Sequence, residues 1–161
     1  MGNKFYNKAD LKKGVDYIGV CVVFFCYDGK ENLLMHKRSK NCRDEIGRWD
    51  CGSGSIEMGE TLEEAARREI KEEYGVKPKS LKFCGVNNAL REDYHVGFNK
   101  KIKTHWIALI FAAKVNPKKV KIGEPNKMDK IGWFKINRLP KPLHSMVLKH
   151  LSLVKNNKIK I

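Results

Sequence analysis

The segment GSIEMGETLEEAARREIKEEYGV, residues 54–76, decides how the chain folds. It carries seven glutamates, although the 161-residue chain has a formal net charge of +15. Thr61 and Glu64 have the spacing of a capping box, which predicts a helix that begins at about Leu62. Gly75 can adopt the left-handed conformation that commonly ends a helix. A strongly basic chain therefore gathers much of its acid on one short helix.

The predicted helix has one face that mixes apolar and acidic side chains. Its apolar residues recur at helical spacing and should pack on a sheet: Leu62, Ala65, Ala66 and Ile70. Glu69 and Glu73 project along the same side, with Glu72 at its edge, so the three carboxylates are neighbours. Taking an ion out of water costs several kcal/mol, and nearby like charges add to that cost. Arg68 can neutralise only part of the group, and a set of oxygen ligands fits Mg²⁺ or Mn²⁺.

A second interpretation of this helix needs no metal. Glu64–Arg68 and Arg68–Glu72 have the spacing of ion pairs on a solvent-exposed helix. Helix geometry alone does not exclude this interpretation.

The bulk composition limits the class of protein. A hydrophobic content of 42% is ordinary for a globular chain, which argues against global disorder. The longest apolar run, IGVCVVFFCY, is too short to span a membrane, and the N-terminus lacks a signal-peptide layout. The five cysteines form no CxxC pair, so we expect reduced thiols in a cytoplasmic protein. The positive excess attracts polyanions, nucleotides and nucleic acid included, without choosing among them.

The rest of the chain predicts a single domain over residues 1–161. Residues 16–38 indicate two strands joined at Asp28–Gly29, and residues 39–55 indicate a long loop that ends in a short strand. Further strands are predicted at residues 81–90, 104–115 and 131–136, and a C-terminal helix at residues 143–156. Strands on both sides of a helix, with a closing helix, favour an α/β class fold: an α/β/α layered domain with a mixed central sheet.

The spacing of residues 54–76 resembles the complete signature of the Nudix hydrolases. The matching positions are Gly54, Glu60, Arg68-Glu69-Ile70, Glu72-Glu73 and Gly75-Val76. With average residue usages of about 7%, such a match arises by chance at roughly one in 10⁸ start points. Residues 124–143 are similar to the closing segment of the MutT-like antimutator nucleoside triphosphate pyrophosphatases. One departure is Cys51-Gly52-Ser53-Gly54, where many relatives have Pro-Gly-Gly, and we expect only a local change there.

The resemblance implies a Nudix-type α/β/α sandwich that hydrolyses a nucleoside diphosphate linked to another group, X, with Mg²⁺ or Mn²⁺. It makes Glu69, Glu72 and Glu73 metal ligands, with the carbonyl of Ser53 completing the coordination. The attacking water would be activated by Glu69, by Glu73 or by an acid from a later loop. The remaining implied roles are orientation of a glutamate by Arg68 with Glu60, and an extra ligand or base at Glu124 or Asp129.

Several residues outside this segment are candidates for substrate contact, and each has a structural alternative. Arg38 and Arg43 could bind phosphates, and Glu45 could contact a base edge. His105 and Trp106 alternate on a strand, so one faces in and one faces out; His105 could contact the ligand or be a satisfied strand histidine. Trp49 and Trp133 are expected in the core, although one aromatic ring could stack on a base.

Four functions remain in competition. The first is hydrolysis of a nucleoside triphosphate, including oxidised ones, to monophosphate and pyrophosphate. The second is hydrolysis of ADP-ribose or a dinucleoside polyphosphate, and the third is decapping or other RNA processing. The fourth is a catalytically silent nucleotide- or RNA-binding module. The sequence favours nucleotide over nucleic acid as partner, predicts no membrane association, and leaves monomer and homodimer open.

Overall fold

The computed structural model describes residues 11–159 and residue 161. Within these residues the chain forms seven strands and two α-helices. In order they are β1 (Gly19–Tyr27), β2 (Asn32–Arg38), β3 (Trp49–Asp50), β4 (Gly52–Ser55), α1 (Leu62–Tyr74), β5 (Ser80–His95), β6 (Lys100–Lys114), β7 (Met128–Lys135) and α2 (Val147–Asn156). The prediction that the N-terminus lacks a signal peptide concerns residues 1–10, which lie outside the described residues.

The strands form one mixed sheet around β1. β1 pairs in parallel with β6, from Gly19↔Trp106 to Tyr27↔Lys114, and antiparallel with β4. β5 pairs antiparallel with β6 along its whole length, and β2 pairs antiparallel with β3 and β7. β1 and β2 meet only at Tyr27↔Leu33, so the sheet opens between them further along the strands. The predicted mixed sheet is confirmed.

Two cores, one on each face of the sheet, make the fold a three-layer sandwich. Successive side chains of β1 alternate between the two faces, as in any strand. Val22, Phe24 and Cys26 pack with α1, and Val23, Phe25 and Tyr27 pack with α2. The predicted α/β/α layering is therefore confirmed.

α1 has the bounds and the caps that the sequence predicts. The Thr61 hydroxyl accepts a hydrogen bond from Glu64 N at 3.2 Å, and the Glu64 carboxylate accepts one from Thr61 N at 2.8 Å. Gly75 has φ 63°, the left-handed conformation that ends the helix. The prediction that Leu62 is buried is wrong, because this first helical residue projects beyond the core and is 36% exposed. Tyr74, at the other end, is fully buried instead.

The hairpin of β5 and β6 is longer than the sequence indicates. The predicted strands at 81–90 and 104–115 extend toward a tip at the short helix Val96–Phe98. Most of these added residues are polar and exposed. They pair through their backbones, and they lack the apolar alternation from which a strand is predicted. β7 begins at Met128, before the predicted residue 131. No helix in the described part of the chain is long and apolar enough to cross a membrane.

α2 begins four residues later than predicted. Leu143 forms a bridge with Trp49, and His144 N donates to Trp49 O at 2.8 Å. These contacts hold residues 143–146 beside β3, so the helix starts only at Val147. The same contacts bring His144 close to the site described below.

Candidate active site

Arg68 lies at the centre of the acidic face of α1. Its guanidinium forms two hydrogen bonds with Glu60, from Nε to Oε1 at 2.6 Å and from Nη2 to Oε2 at 2.9 Å. Nη1 donates to Glu69 at 2.8 Å and to Glu72 at 3.2 Å, and Nη2 donates to the Ser55 carbonyl at 3.0 Å. The hydrogen bonds from Arg68 lower the pKa of Glu60 to about 2. The pairing of Arg68 with Glu60 that the resemblance implies is present.

Glu73 points from α1 into the protein and is only 5% exposed. Its Oε1 accepts a long hydrogen bond from Ser53 N at 3.4 Å, whereas its Oε2 is buried without a hydrogen-bond partner. Burial, reinforced by the nearby carboxylates of Glu124 and Glu69, raises the pKa of Glu73 well above its usual range. Burial also raises the pKa of Glu69, against the opposing effect of Arg68. Both carboxyl groups therefore resist ionisation unless a cation is near.

Glu124 reaches the same place from the loop before β7. Gly123 N donates to Glu73 O at 2.8 Å, and a Cβ at Gly123 would lie 1.8 Å from the Glu72 carbonyl oxygen. Glu124 Oε1 accepts from Lys127 Nζ at 2.7 Å, and Glu124 Oε2 is buried without a partner. From the sequence, Glu124 could be either a metal ligand or a solvated loop acid. Its buried oxygen and its effect on the pKa of Glu73 place it at the acidic cluster.

β4 lies directly against these carboxylates, and its two glycines make the approach possible. A Cβ at Gly54 would lie 1.8 Å from Glu69 Cδ, and one at Gly52 would lie 2.6 Å from Glu73 Oε2. Ser53 stands between the two glycines, with an exposed side chain and its backbone on the wall of the site. The unusual Cys51-Gly52-Ser53-Gly54 stretch thus keeps glycine where the carboxylates need room.

The fit to a metal ion depends on the two orphaned oxygens. Among the residues that the structure describes, no three His, Cys, Asp or Glu side chains are arranged to hold a metal. Glu69 and Glu72 turn toward Arg68 instead. Glu73 Oε2 and Glu124 Oε2, however, are both buried and unpaired, and such groups are expected to have a partner. Carboxylate oxygens are the ligands that hard divalent cations prefer, so the donor set fits Mg²⁺ or Mn²⁺.

A cavity of about 590 Å³ opens over the acidic cluster. Glu69 and Glu73 lie on its wall with β4, and other parts of the wall come from the loop that follows β2 and from β5 and β6. This volume is in the range of about 300–1,000 Å³ that is typical of small-molecule sites. The cavity can therefore hold a nucleotide against the carboxylates.

The two arginines proposed to contact substrate have different surroundings. The Arg38 guanidinium donates to Asp50 at 3.1 Å and to Asp44 at 2.5 Å, so it lines the cavity while already engaged by two carboxylates. Arg43 is about half exposed and lies over the Trp106 ring, 4.8 Å from the ring centroid. The substrate contacts of both residues stay predictions, and Arg43 has the more accessible guanidinium.

The alternation of His105 and Trp106 puts Trp106 on the cavity side. His105 Nε2 lies 2.6 Å from Asn88 Oδ1, and His105 is not part of the cavity wall. Glu45 accepts hydrogen bonds from the backbone N–H and the hydroxyl of Ser145 and forms an ion pair with Arg91. These contacts anchor the loop that carries Glu45. These positions favour structural roles for His105 and Glu45.

The remaining candidates lie away from the acidic cluster. Asp129 is exposed on β7 and does not line the cavity. Trp49 is buried in the core on the α2 side, and Trp133 packs against the core on the α1 side. Both tryptophans thus occupy the core positions expected of them.

A buried polar network under the cavity was not anticipated from the sequence. His36 Nδ1 lies 2.8 Å from the Tyr74 hydroxyl, and His150 Nε2 lies 2.9 Å from the amide nitrogen of Asn87. Burial lowers the pKa of both histidines to about 4. Against the effect of its own burial, Asp50 has a lowered pKa because His144, His36 and Arg38 surround it. These residues come from separate segments, and no local pattern connects them.

Comparisons with known proteins agree with this geometry. The family model described as NUDIX domain matches residues 17–155. The ADP-ribose pyrophosphatase of Methanocaldococcus jannaschii is 33% identical over 156 residues, which cover 95% of this chain and 85% of that protein. The 8-oxo-dGDP phosphatase of Mus musculus is 27% identical over 143 residues, 88% of this chain but only 39% of that protein.

Among solved structures, a MutT Nudix hydrolase from Burkholderia pseudomallei superposes with a TM-score of 0.70 at 24% identity, over 86% of this chain and 98% of that one. A likeness at this identity supports the fold alone. The family assignment follows from the model match and from the archaeal relative. The chain belongs to the Nudix hydrolase family, whose members are pyrophosphatases acting on phosphorus-containing anhydrides.

Proposed function

We propose that the protein is a divalent-cation-dependent pyrophosphohydrolase that cleaves a nucleoside diphosphate linked to another group, X. The observation that supports this most directly is the pair of buried, unpaired oxygens, Glu73 Oε2 and Glu124 Oε2. Glu73 lines a cavity of about 590 Å³ whose volume suits a nucleotide. Mg²⁺ or Mn²⁺ is the cation that an all-oxygen donor set favours.

In this proposal each acidic residue has a defined role. Glu69, Glu72, Glu73 and Glu124, with the carbonyl of Ser53, would hold the cation. When bound, the cation would neutralise pyrophosphate oxygens and stabilise the leaving phosphate. Arg68 positions Glu69 and Glu72, and Glu60 in turn fixes the Arg68 guanidinium. The attacking water would give its proton to Glu69, to Glu73 or to Glu124 from the later loop, which are the candidate general bases.

Two observations bear on the substrate. The sequence predicts a nucleoside triphosphate, and the name of the mouse relative supports an oxidised guanine nucleotide. The archaeal relative, which matches nearly the whole chain, supports ADP-ribose as a second candidate. A cytoplasmic location stays a prediction, supported by five free cysteines.

The test is a hydrolysis panel with Mg²⁺ or Mn²⁺. It compares ADP-ribose, a nucleoside triphosphate, 8-oxo-dGDP and diadenosine tetraphosphate. Two variants carry the same chemical change at a buried and at an exposed position of α1. Glu73→Gln alters a buried carboxyl of the cluster, and Glu63→Gln alters an exposed one in the first turn.

We expect the wild type and Glu63→Gln to release a nucleoside monophosphate from at least one substrate. Glu73→Gln should lose on the order of 10²-fold in rate because a ligand of the cation is removed, and calorimetry should show weaker Mn²⁺ binding. Nucleotide binding without hydrolysis by any of the three proteins would support the silent binding module instead. RNA binding that survives metal chelation would support RNA processing.

A further inference from the structure

A second cavity of about 360 Å³ adjoins the one over the acidic cluster. The two share Arg43, Ser55 and Trp106 as lining residues, so a ligand can extend from one into the other. Neither Glu69 nor Glu73 lines the second cavity. It is therefore a lateral extension of the reaction site with a different chemical character.

Three separate segments build the walls of the second cavity. The turn at residues 12–17 packs against Trp106, because a Cβ at Gly14 would lie 2.1 Å from Trp106 Nε1. Gly14 O accepts from His105 N at 2.8 Å, which fixes this turn on β6. On the other side, Val96 N in the hairpin tip donates to Arg43 O at 2.9 Å. These contacts hold the walls in one arrangement.

Among the described residues, the walls of the second cavity carry more basic than acidic side chains. Lys12, Lys13 and Arg43 line the second cavity. Lys12 Nζ lies 3.9 Å from the centroid of the Phe98 ring, and Arg43 lies over Trp106. Contact with an aromatic face positions a cation while leaving its charge in place.

The acid on this wall is shared between two arginines. Among the described side chains of this wall, Asp44 is the acidic one, and its carboxylate accepts from Arg38 at 2.5 Å. Its other oxygen forms a long ion pair with Arg43 Nε at 3.7 Å, so it offsets only part of the Arg43 charge. Arg91, also on this wall, pairs with Glu45. Lys12, Lys13 and Arg43 thus give the cavity a positive field.

We propose that the second cavity binds a phosphate, or a comparable anionic group, that the substrate carries in addition to its scissile pyrophosphate. This inference rests on the proposed function and narrows it to nucleoside diphosphate derivatives with an extra phosphate. The acidic cluster and its cation serve the pyrophosphate, so they leave the cations of the second cavity for another anion. A neutral sugar or base would gain little from lysines on these walls, whereas a phosphate is attracted by each of them.

The test measures binding without metal, so that it does not depend on catalysis. Calorimetry in EDTA compares two pairs of probes that differ in phosphate content: ADP-ribose against ADP-ribose 2′-phosphate, and diadenosine triphosphate against diadenosine tetraphosphate. The variant is Lys12→Gln/Lys13→Gln. Its matched control is Lys118→Gln/Lys119→Gln, which removes two exposed lysines that line neither cavity. Circular dichroism establishes that both variants are folded.

We expect the wild type and the control to bind the phosphate-richer member of at least one pair about tenfold more tightly. In Lys12→Gln/Lys13→Gln this preference should fall to threefold or less. Equal binding within both pairs by the wild type would overturn the inference, as would an equal loss of preference in the control. Binding of an RNA oligonucleotide without terminal phosphates as tight as that of the phosphate-rich probes would also overturn it.

The two proposals fail separately in this design. A phosphate preference in EDTA without hydrolysis in Mg²⁺ or Mn²⁺ would reject the proposed function and keep the anion site. Hydrolysis without any phosphate preference would keep the proposed function and reject the anion site.

Discussion

At the scale of single residues, Glu73 is a group that destabilises the folded protein in the absence of a bound cation. A buried carboxyl group with one unpaired oxygen destabilises the folded protein, and a charged one does so more strongly. Glu124 and Glu69 add like charge around it. A bound cation would offset both effects, which is why we propose Glu73 as a metal ligand.

We predict that Glu73→Gln stabilises the metal-free protein at neutral pH. The pKa of Glu73 is raised on folding, so above about pH 4.3, the usual value for Glu, the folded state keeps a proton that the unfolded state has lost. The contribution of Glu73 to stability is therefore lost as the pH rises through its folded pKa. Glutamine mimics the protonated carboxyl and avoids this loss.

Urea unfolding in EDTA should show Glu73→Gln to be more stable than the wild type at pH 7.5, by on the order of 1–3 kcal/mol. The difference should vanish near pH 4, and saturating Mg²⁺ should stabilise the wild type more than the variant. A variant that is less stable than the wild type at pH 7.5 in EDTA would contradict this account of Glu73.

At the scale of elements, α1 was predictable because its signals are local. The capping box, the glycine after the last turn and the buried stripe all lie within residues 61–75, and the structure reproduces the helix bounds. The burial of Glu69 and Glu73 and the exposure of Glu72 also follow from helix periodicity. The exposed end of the β5–β6 hairpin could not be predicted, since it is defined by backbone pairing and by contacts with distant segments, such as the bond from Val96 N to Arg43 O.

The cap of α1 gives a prediction at the same scale. Thr61→Ala removes the hydroxyl that accepts from Glu64 N, and we expect a loss of about 1 kcal/mol in the free energy of unfolding. Thr61→Ser keeps the hydroxyl and should remain close to the wild type. Urea unfolding at pH 7 measures both variants. If the alanine and serine variants were equally stable, the capping bond would contribute nothing here.

At the scale of the whole molecule, the site lies where the chain's acidic helix meets its basic remainder. The family signature predicted the acids, because the residues involved are close in sequence. The two cavities could not be predicted, since Lys12, Arg43, Trp106 and His150 come from distant segments. Only the folded sheet brings these segments together, with the hairpin tip bonded to Arg43 and the N-terminal turn packed on Trp106.

This distribution of charge predicts how salt affects the reaction. The protein has a net charge of +15 and lysines around the opening, so it attracts a polyanionic substrate from a distance. Salt screens this attraction beyond the Debye length, which is about 10 Å at 0.1 M and about 3 Å at 1 M. Raising KCl from about 50 to 500 mM at saturating Mg²⁺ should lower kcat/KM about tenfold through KM. The value of kcat should change less than twofold, because buried and partly buried charge pairs are screened much less than exposed ones.

An osmotically matched concentration of sucrose controls for effects of water activity. A parallel fall of kcat and kcat/KM at constant KM would instead indicate that salt disturbs the acidic cluster or its cation, and the basic remainder would then have no role in gathering substrate.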